Sequence, residues 1–193
     1  MSGGTTEVFW TSDLHFFHKK IGLFCQETRQ GDTVEEMNEL IIEKWNKKVR
    51  RGDLVRHLGD FSFGTIEETI QVLKRLNGSK HFIRGNHDRI LDTIVKTHPN
   101  LMQTYKEYDT VKVGNDRFVL FHFPISSWDR AHYGSIHVHG HLHGGKSNGE
   151  SGIMKNRVDC GIDNHPNKDM SVFSHEELIQ LIKVQNKSLL TNG

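Results

Sequence analysis

Fourteen of the 193 residues are histidines, and the informative ones sit in short polar clusters together with carboxylates. The clusters read Asp13-Leu14-His15, Gly59-Asp60, Gly85-Asn86-His87-Asp88, His122, and Gly140-His141-Leu142-His143. Imidazole nitrogens with carboxylate oxygens suit Zn²⁺, Mn²⁺, iron or Ni²⁺, and Asn86 adds a neutral carbonyl oxygen. Spacing by two on an extended segment places Asp13 with His15, and His141 with His143, on one side of the chain. Asp13, Asp60 and Asn86 give three oxygen donors, and His15, His122, His141 and His143 give four imidazoles. That set exceeds one tetrahedral site and fits two metals sharing a bridging carboxylate. Taken singly, each cluster is ordinary turn chemistry, since Gly adopts left-handed backbone freely and Asn and Asp stabilise it by local hydrogen bonds. Their joint occurrence favours metal.

The elements that must bring these clusters together follow from the apolar pattern. Val8 to Ser12 is a short run of β-formers and predicts a buried strand. Asp32 reads as an N-cap with Glu35 as its box partner, and Val34, Met37, Ile41, Trp45 and Val49 recur at helical spacing up to Arg50. Leu54 to Leu58 predicts a strand, Thr65 with Glu68 opens a helix that stops at Asn77-Gly78, and His81 to Ile83 predicts a third strand. Arg89 to Thr97 reads as a helix ended by Pro99. Val111–Val113 and Phe118–Phe121 flank Gly114-Asn115-Asp116, a hairpin signal. Ser135–His139 and Arg157–Cys160 read as strands, followed by Met170–Phe173 and a helix capped by Ser174 and Glu177. The order β-α-β-α-β, then strands, then a helix predicts a layered α/β sandwich whose first strands are parallel and whose later strands form hairpins. Each cluster follows a predicted strand, and in open α/β sheets the loops at the carboxyl ends of strands converge on one crevice.

Hydrophobic residues make up 35% and charged residues 25% of the chain, which fits one globular domain over residues 1–193. The formal charge of +1 gives no reason to expect long nucleic acid or an anionic membrane as partner. No apolar run approaches the roughly 20 residues of a membrane span. Cys25 and Cys160 are too few for a disulfide framework and read as reduced thiols, so the expected location is the cytoplasm. Oligomeric state is left open.

Taken together, the five clusters resemble the calcineurin-like metallophosphoesterase family, over a stretch from about Trp10 to His143. The segments Thr11–His18 and Leu58–Gly64 resemble its small bacterial and phage members. The resemblance implies a two-sheet β-sandwich flanked by helices, in four layers. It implies Asp13, His15, Asp60 and His143 around one divalent ion and Asp60, Asn86, His122 and His141 around another, with manganese first and iron, zinc or nickel as alternatives. The implied activity is hydrolysis of a phosphomonoester or phosphodiester, with a nucleotide-like small substrate, by in-line attack of a hydroxide bridging the ions. His87 would be the catalytic histidine, protonating the leaving alkoxide, with Asp88 orienting its ring. Asp88 stands where many members have Glu, and Phe61-Ser62-Phe63-Gly64 replaces the Asp-Arg-Gly continuation of the Ser/Thr protein phosphatase branch, which argues against that branch. A noncatalytic partner-binding scaffold of the same fold and a mononuclear zinc hydrolase are the competing readings. His18 and Arg84 are candidates for substrate phosphate. His57, His137 and His139 read as packing residues, and Arg130, His132 and Tyr133 as a polar loop able to line a groove.

Overall fold

The computed structural model describes residues 5–145 and 154–191. Strands β1 (Val8–Thr11), β2 (Leu54–His57), β3 (Ser79–Ile83) and β4 (Thr104–Lys106) lie parallel in one sheet, and β9 (Phe173–Ser174) pairs antiparallel with β1. The order across this sheet is β4-β3-β2-β1-β9, and a second sheet runs β5-β6-β7-β8. Its strands are β5 (Tyr108–Val113), β6 (Asp116–Phe121), β7 (Ile136–His139) and β8 (Arg157–Asp159). Helices are α1 (Ile21–Phe24), α2 (Val34–Lys48), α3 (Ile66–Arg75), α4 (Arg89–Thr97) and α5 (His175–Thr191). The result is two mixed sheets flanked by helices.

Pleating sorts the apolar residues. Phe9, Val55 and Phe82 join Ile41 and Trp45 of α2, Leu73 of α3 and Leu91 of α4 in one buried cluster. Their strand neighbours Trp10 and Ile83 point the other way and meet Phe118, Leu120, Val138 and Val158 of the second sheet. Each such side chain contributes about 1.5–3 kcal/mol by leaving water. Leu178 and Ile182 of α5 close the edge of this second cluster beside β9 and β8. On the outer face of β7 the cover is the loop of residues 122–135, with Trp128 against His137.

Two of the expected helix starts hold: Thr65 with Glu68, and Ser174 with Glu177, form reciprocal caps. The start of α2 differs by one residue. Thr33, not Asp32, is the cap, because its Oγ1 accepts from Glu36 N at 3.1 Å while the Glu36 carboxylate accepts from both Asp32 N and Thr33 N.

The expectation of hairpins in the second half holds only for β5 and β6, which turn at Gly114-Asn115. β6, β7 and β8 are parallel to one another, so the chain crosses over before β7 and again before β8. This difference positions the site, because the carboxyl ends of β6, β7 and β8 then lie on one side. A parallel bridge between Ser12 and Gly161 stitches the end of β1 to the end of β8, joining the two sheets there. Among the described residues no helix is long and apolar enough to cross a membrane.

Candidate metal centre

The loops after β1, β2, β3, β6 and β7 meet at this joined end. Asp13, His15 and His143 each offer a ligand atom within 4.8 Å of one another, and Asp60, His122 and His141 form a second such group. Asn86 Oδ1 lies 2.9 Å from His122 Nε2 and 3.1 Å from His141 Nδ1. Asp60 Oδ2 is 3.7 Å from His15 Nε2 and 3.5 Å from His122 Nε2, so it borders both groups. All the expected donors are thus brought together. Asp13 Oδ1 and His15 Nε2 are buried 3.7 Å apart without a hydrogen-bond partner. Such orphaned atoms cost roughly 1–3 kcal/mol each, and a cation between them would remove that cost; the donor set fits a divalent metal.

The backbone reaches this arrangement differently from the extended segments expected. Asp13, His15, Asp60, His141 and His143 all have left-handed backbone, with φ between 50° and 72°. Consecutive tight turns, not a pleat, aim the side chains inward. Left-handed backbone at a non-glycine residue costs about 1–3 kcal/mol and persists only where surroundings enforce it. Here Asp13 N donates to Gly59 O at 2.9 Å, His15 N to Asp60 O at 3.2 Å and Phe16 N to Phe61 O at 3.0 Å. Glycines let the loops close in: a Cβ on Gly85 would overlap Asp60 Oδ1, and one on Gly140 would overlap Asp13 Oδ2 and Ser12 Oγ.

Asp13 Oδ2 accepts from Ser12 Oγ at 2.5 Å and from His141 N at 2.9 Å. Burial opposes its charge, but His15, His143 and His122 outweigh this and hold the carboxyl well below the usual range. Burial also opposes charge on His122, yet Asp60, Asp13 and the Leu58 carbonyl lift it to about 9. His143 rises to about 10 against burial, chiefly through Asp163 and Cys25. His15 is held below its ordinary value by burial. Asp163 was not singled out from the sequence, although Gly161-Ile162-Asp163 follows β8 just as the other clusters follow their strands. Nor was Phe63, whose ring stacks on His15 at 5.2 Å and packs on His87 at 4.9 Å.

His87 stands at the solvent edge, with Nε2 4.0 Å from Asp60 Oδ2 and its backbone N donating to Asp60 Oδ1 at 2.9 Å. Asp88 does not serve the ring. Its carboxylate accepts from the backbone N of Gly85 (2.7 Å), Asp60 (2.9 Å) and Phe61 (2.8 Å), fastening the β2 loop to the β3 loop. Burial lifts its pKa to about 6 in spite of those amides. Arg84 is paired with a neighbour on α4: its Nε and Nη2 fork onto Asp92 at 2.8 and 2.9 Å.

His18 keeps its place beside the site, edge-on to Phe63 at 4.5 Å. A cleft of about 920 Å³ runs from His15, His18 and His143 past Leu23 and Phe24 to Lys168. His57, His137 and His139 are buried and bond to backbone groups, as packing residues do. Arg130 and Tyr133 line a hollow with Lys112 and Asn115 at the turn of the β5–β6 hairpin, the opposite end of β6 from His122, so the loop that also carries His132 does not line this cleft.

The uncharacterized protein MJ1445 of Methanocaldococcus jannaschii is 34% identical over 71% of this chain and 69% of its own length. The Gene 66 protein of Mycobacterium phage L5 is 28% identical over 72% of this chain and 78% of its own. A crystal structure of the protein of unknown function AQ665 from Aquifex aeolicus matches with a TM-score of 0.69 at 21% identity, over 92% of this chain and 100% of that one, which shows a shared fold. The calcineurin-like phosphoesterase superfamily domain matches residues 7–155. Since that match covers most of the chain and includes every clustered donor from Asp13 to His143, the chain belongs to the calcineurin-like phosphoesterase superfamily.

Proposed function

We propose that the chain is a metal-dependent phosphoesterase that hydrolyses phosphomonoesters or phosphodiesters with two divalent cations. The observation that carries this reading is Asp60, whose Oδ2 stands 3.7 Å from His15 Nε2 and 3.5 Å from His122 Nε2. Asp13, His15, Asp60 and His143 would hold one cation, and Asp60, Asn86, His122 and His141 the other. When bound, such a pair supplies Lewis acidity, which lowers the pKa of water and offsets charge on phosphoryl oxygens. Manganese is the first choice, with iron, zinc or nickel as alternatives for this mixed nitrogen and oxygen set.

The chain's own groups set the geometry. His122 Nδ1 donates to Leu58 O at 2.7 Å, which turns Nε2 toward Asp60 and Asn86. Ser12 and the His141 amide occupy Asp13 Oδ2, leaving Oδ1 for the centre. His87 would hand a proton to a leaving alkoxide, and its ring packs against Phe63. Asp88 acts at one remove, by holding the Asp60 and Gly85 amides. The apolar side chains of Leu23 and Phe24 in the cleft favour a small substrate with a planar apolar part, such as a nucleotide.

The test is hydrolysis of bis(p-nitrophenyl) phosphate and p-nitrophenyl phosphate by metal-stripped protein, with each of the four cations and with chelator. Turnover that requires a cation, at a stoichiometry near two per chain, is expected. No turnover with any of them overturns the enzyme reading, and a stoichiometry near one replaces it with a mononuclear hydrolase.

A further inference from the structure

Behind the Asp13, His15 and His143 group lies a buried charge pair. Asp163 Oδ1 accepts from Thr28 Oγ1 at 2.5 Å and from Arg29 Nε at 2.8 Å. Its Oδ2 accepts from Arg29 Nη2 and from His143 Nδ1, both at 2.7 Å. The other edge of the guanidinium takes two successive carbonyls: Nη1 donates to Leu14 O at 2.8 Å and Nη2 to Asp13 O at 2.6 Å. Both side chains are 1% exposed. Loops that follow three different strands are therefore indexed on one ion pair.

A buried pair of this kind is weak evidence of stability, because well-packed apolar residues of similar volume often do as well or better. Its attachments point to another use. We propose that Arg29 and Asp163 form a positioning pair for this donor group. Asp163 orients His143 so that Nε2 faces Asp13 Oδ1, 3.9 Å away, and Arg29 fixes the left-handed turn that presents Asp13 and His15. The inference rests on the two-cation reading. An asparagine at 163 can keep an oxygen toward Thr28 and Arg29 Nε, but it then offers an N–H to His143 Nδ1. That forces the imidazole proton onto Nε2, the nitrogen needed as donor.

The experiment is calorimetric titration of metal-free protein with Mn²⁺ for the native chain, Asp163→Asn, Arg29→Lys and the double variant. The native chain is expected to show two binding steps. Each single variant weakens one step by about 10–100-fold and leaves the other nearly unchanged. The double variant is no weaker than the weaker single, because coupled residues are not additive. Unchanged affinity in both singles, equal weakening of both steps, or additive losses overturns the proposal. Should Asp163→Asn fail to fold, Thr28→Val removes only one donor to Asp163, and the same step must still weaken measurably. A native chain that takes up no Mn²⁺ defeats the two-cation reading itself, and that result is visible before any variant is compared.

Discussion

His122 and His143 at the strand ends and three histidines buried along the strands carry opposite charge preferences, while His15, also at a strand end, is held down by burial. His122 and His143 are lifted to about 9 and about 10 although burial opposes their charge, because Asp60, Asp13 and Asp163 surround them. His57, His137 and His139 are pushed down by burial to about 3, about 4 and about 3. Depth does not separate the sets, since His122, His57 and His137 are all fully buried. The partners do: carboxylates in the first set, backbone carbonyls and an amide in the second. One set shares an anionic crevice built to hold positive charge, and the other supplies neutral hydrogen-bonding bulk to the sheets.

The change that breaks this contrast most is Asp60→Asn. It removes the charge that borders both donor groups, so both cations are expected to be lost and kcat/KM to fall by about 10³-fold or more, as metal chemistry is worth several kcal/mol. Elemental analysis together with the diester assay reads both effects; full retention of two metals refutes the shared-carboxylate assignment. His87→Ala is expected to keep both cations. It should lose about 10²–10³-fold on alkyl esters, whose leaving group needs a proton, and far less on p-nitrophenyl esters. Equal loss on both substrates removes His87 from the acid role.

Much of this was legible in the sequence where local chemistry decides. The boxes at Thr65-Glu68 and Ser174-Glu177, the Gly114-Asn115 turn and all the expected donors follow from neighbouring residues. What was hidden depends on distant partners. Short β4 (Thr104–Lys106) has no pattern of its own and exists because β3 offers an edge. The parallel pairing of β6, β7 and β8 is set by crossovers that no local signal marks. Arg29 and Asp163 are ordinary polar residues until folding joins them across 134 positions. Asp88 beside His87 looked like a partner to the ring, yet its carboxylate faces amides of a loop 28 positions away.

Asp88→Ala separates those two roles. Losing the acceptor for three buried amides is expected to cost about 1–3 kcal/mol of unfolding free energy for each amide, measured by urea denaturation. The leaving-group dependence of the surviving activity should stay like that of the native chain. A stable variant that instead repeats the His87→Ala profile would show that Asp88 acts on the ring after all.

The smallest effect tests the strand set alone. His137 Nδ1 lies 3.1 Å from Val119 O, and its Nε2 lies 3.1 Å from Phe123 O. Burial holds its folded pKa at about 4, against an ordinary 6.5. Between these values the unfolded chain takes up a proton that the folded chain refuses. Stability from the neutral ring is therefore complete above pH 6.5 and is lost as the pH falls toward 4. The slope from this one residue is at most about 1.4 kcal/mol per pH unit. His137→Gln does not titrate, so its urea-denaturation curves across this range should be flatter than the native ones by that amount. His57 and His139 keep a residual acid slope in the variant. If the two proteins run parallel, His137 is not held neutral, and its contrast with His122 and His143 fails at a residue whose charge is set by burial, backbone partners and the nearby Arg157.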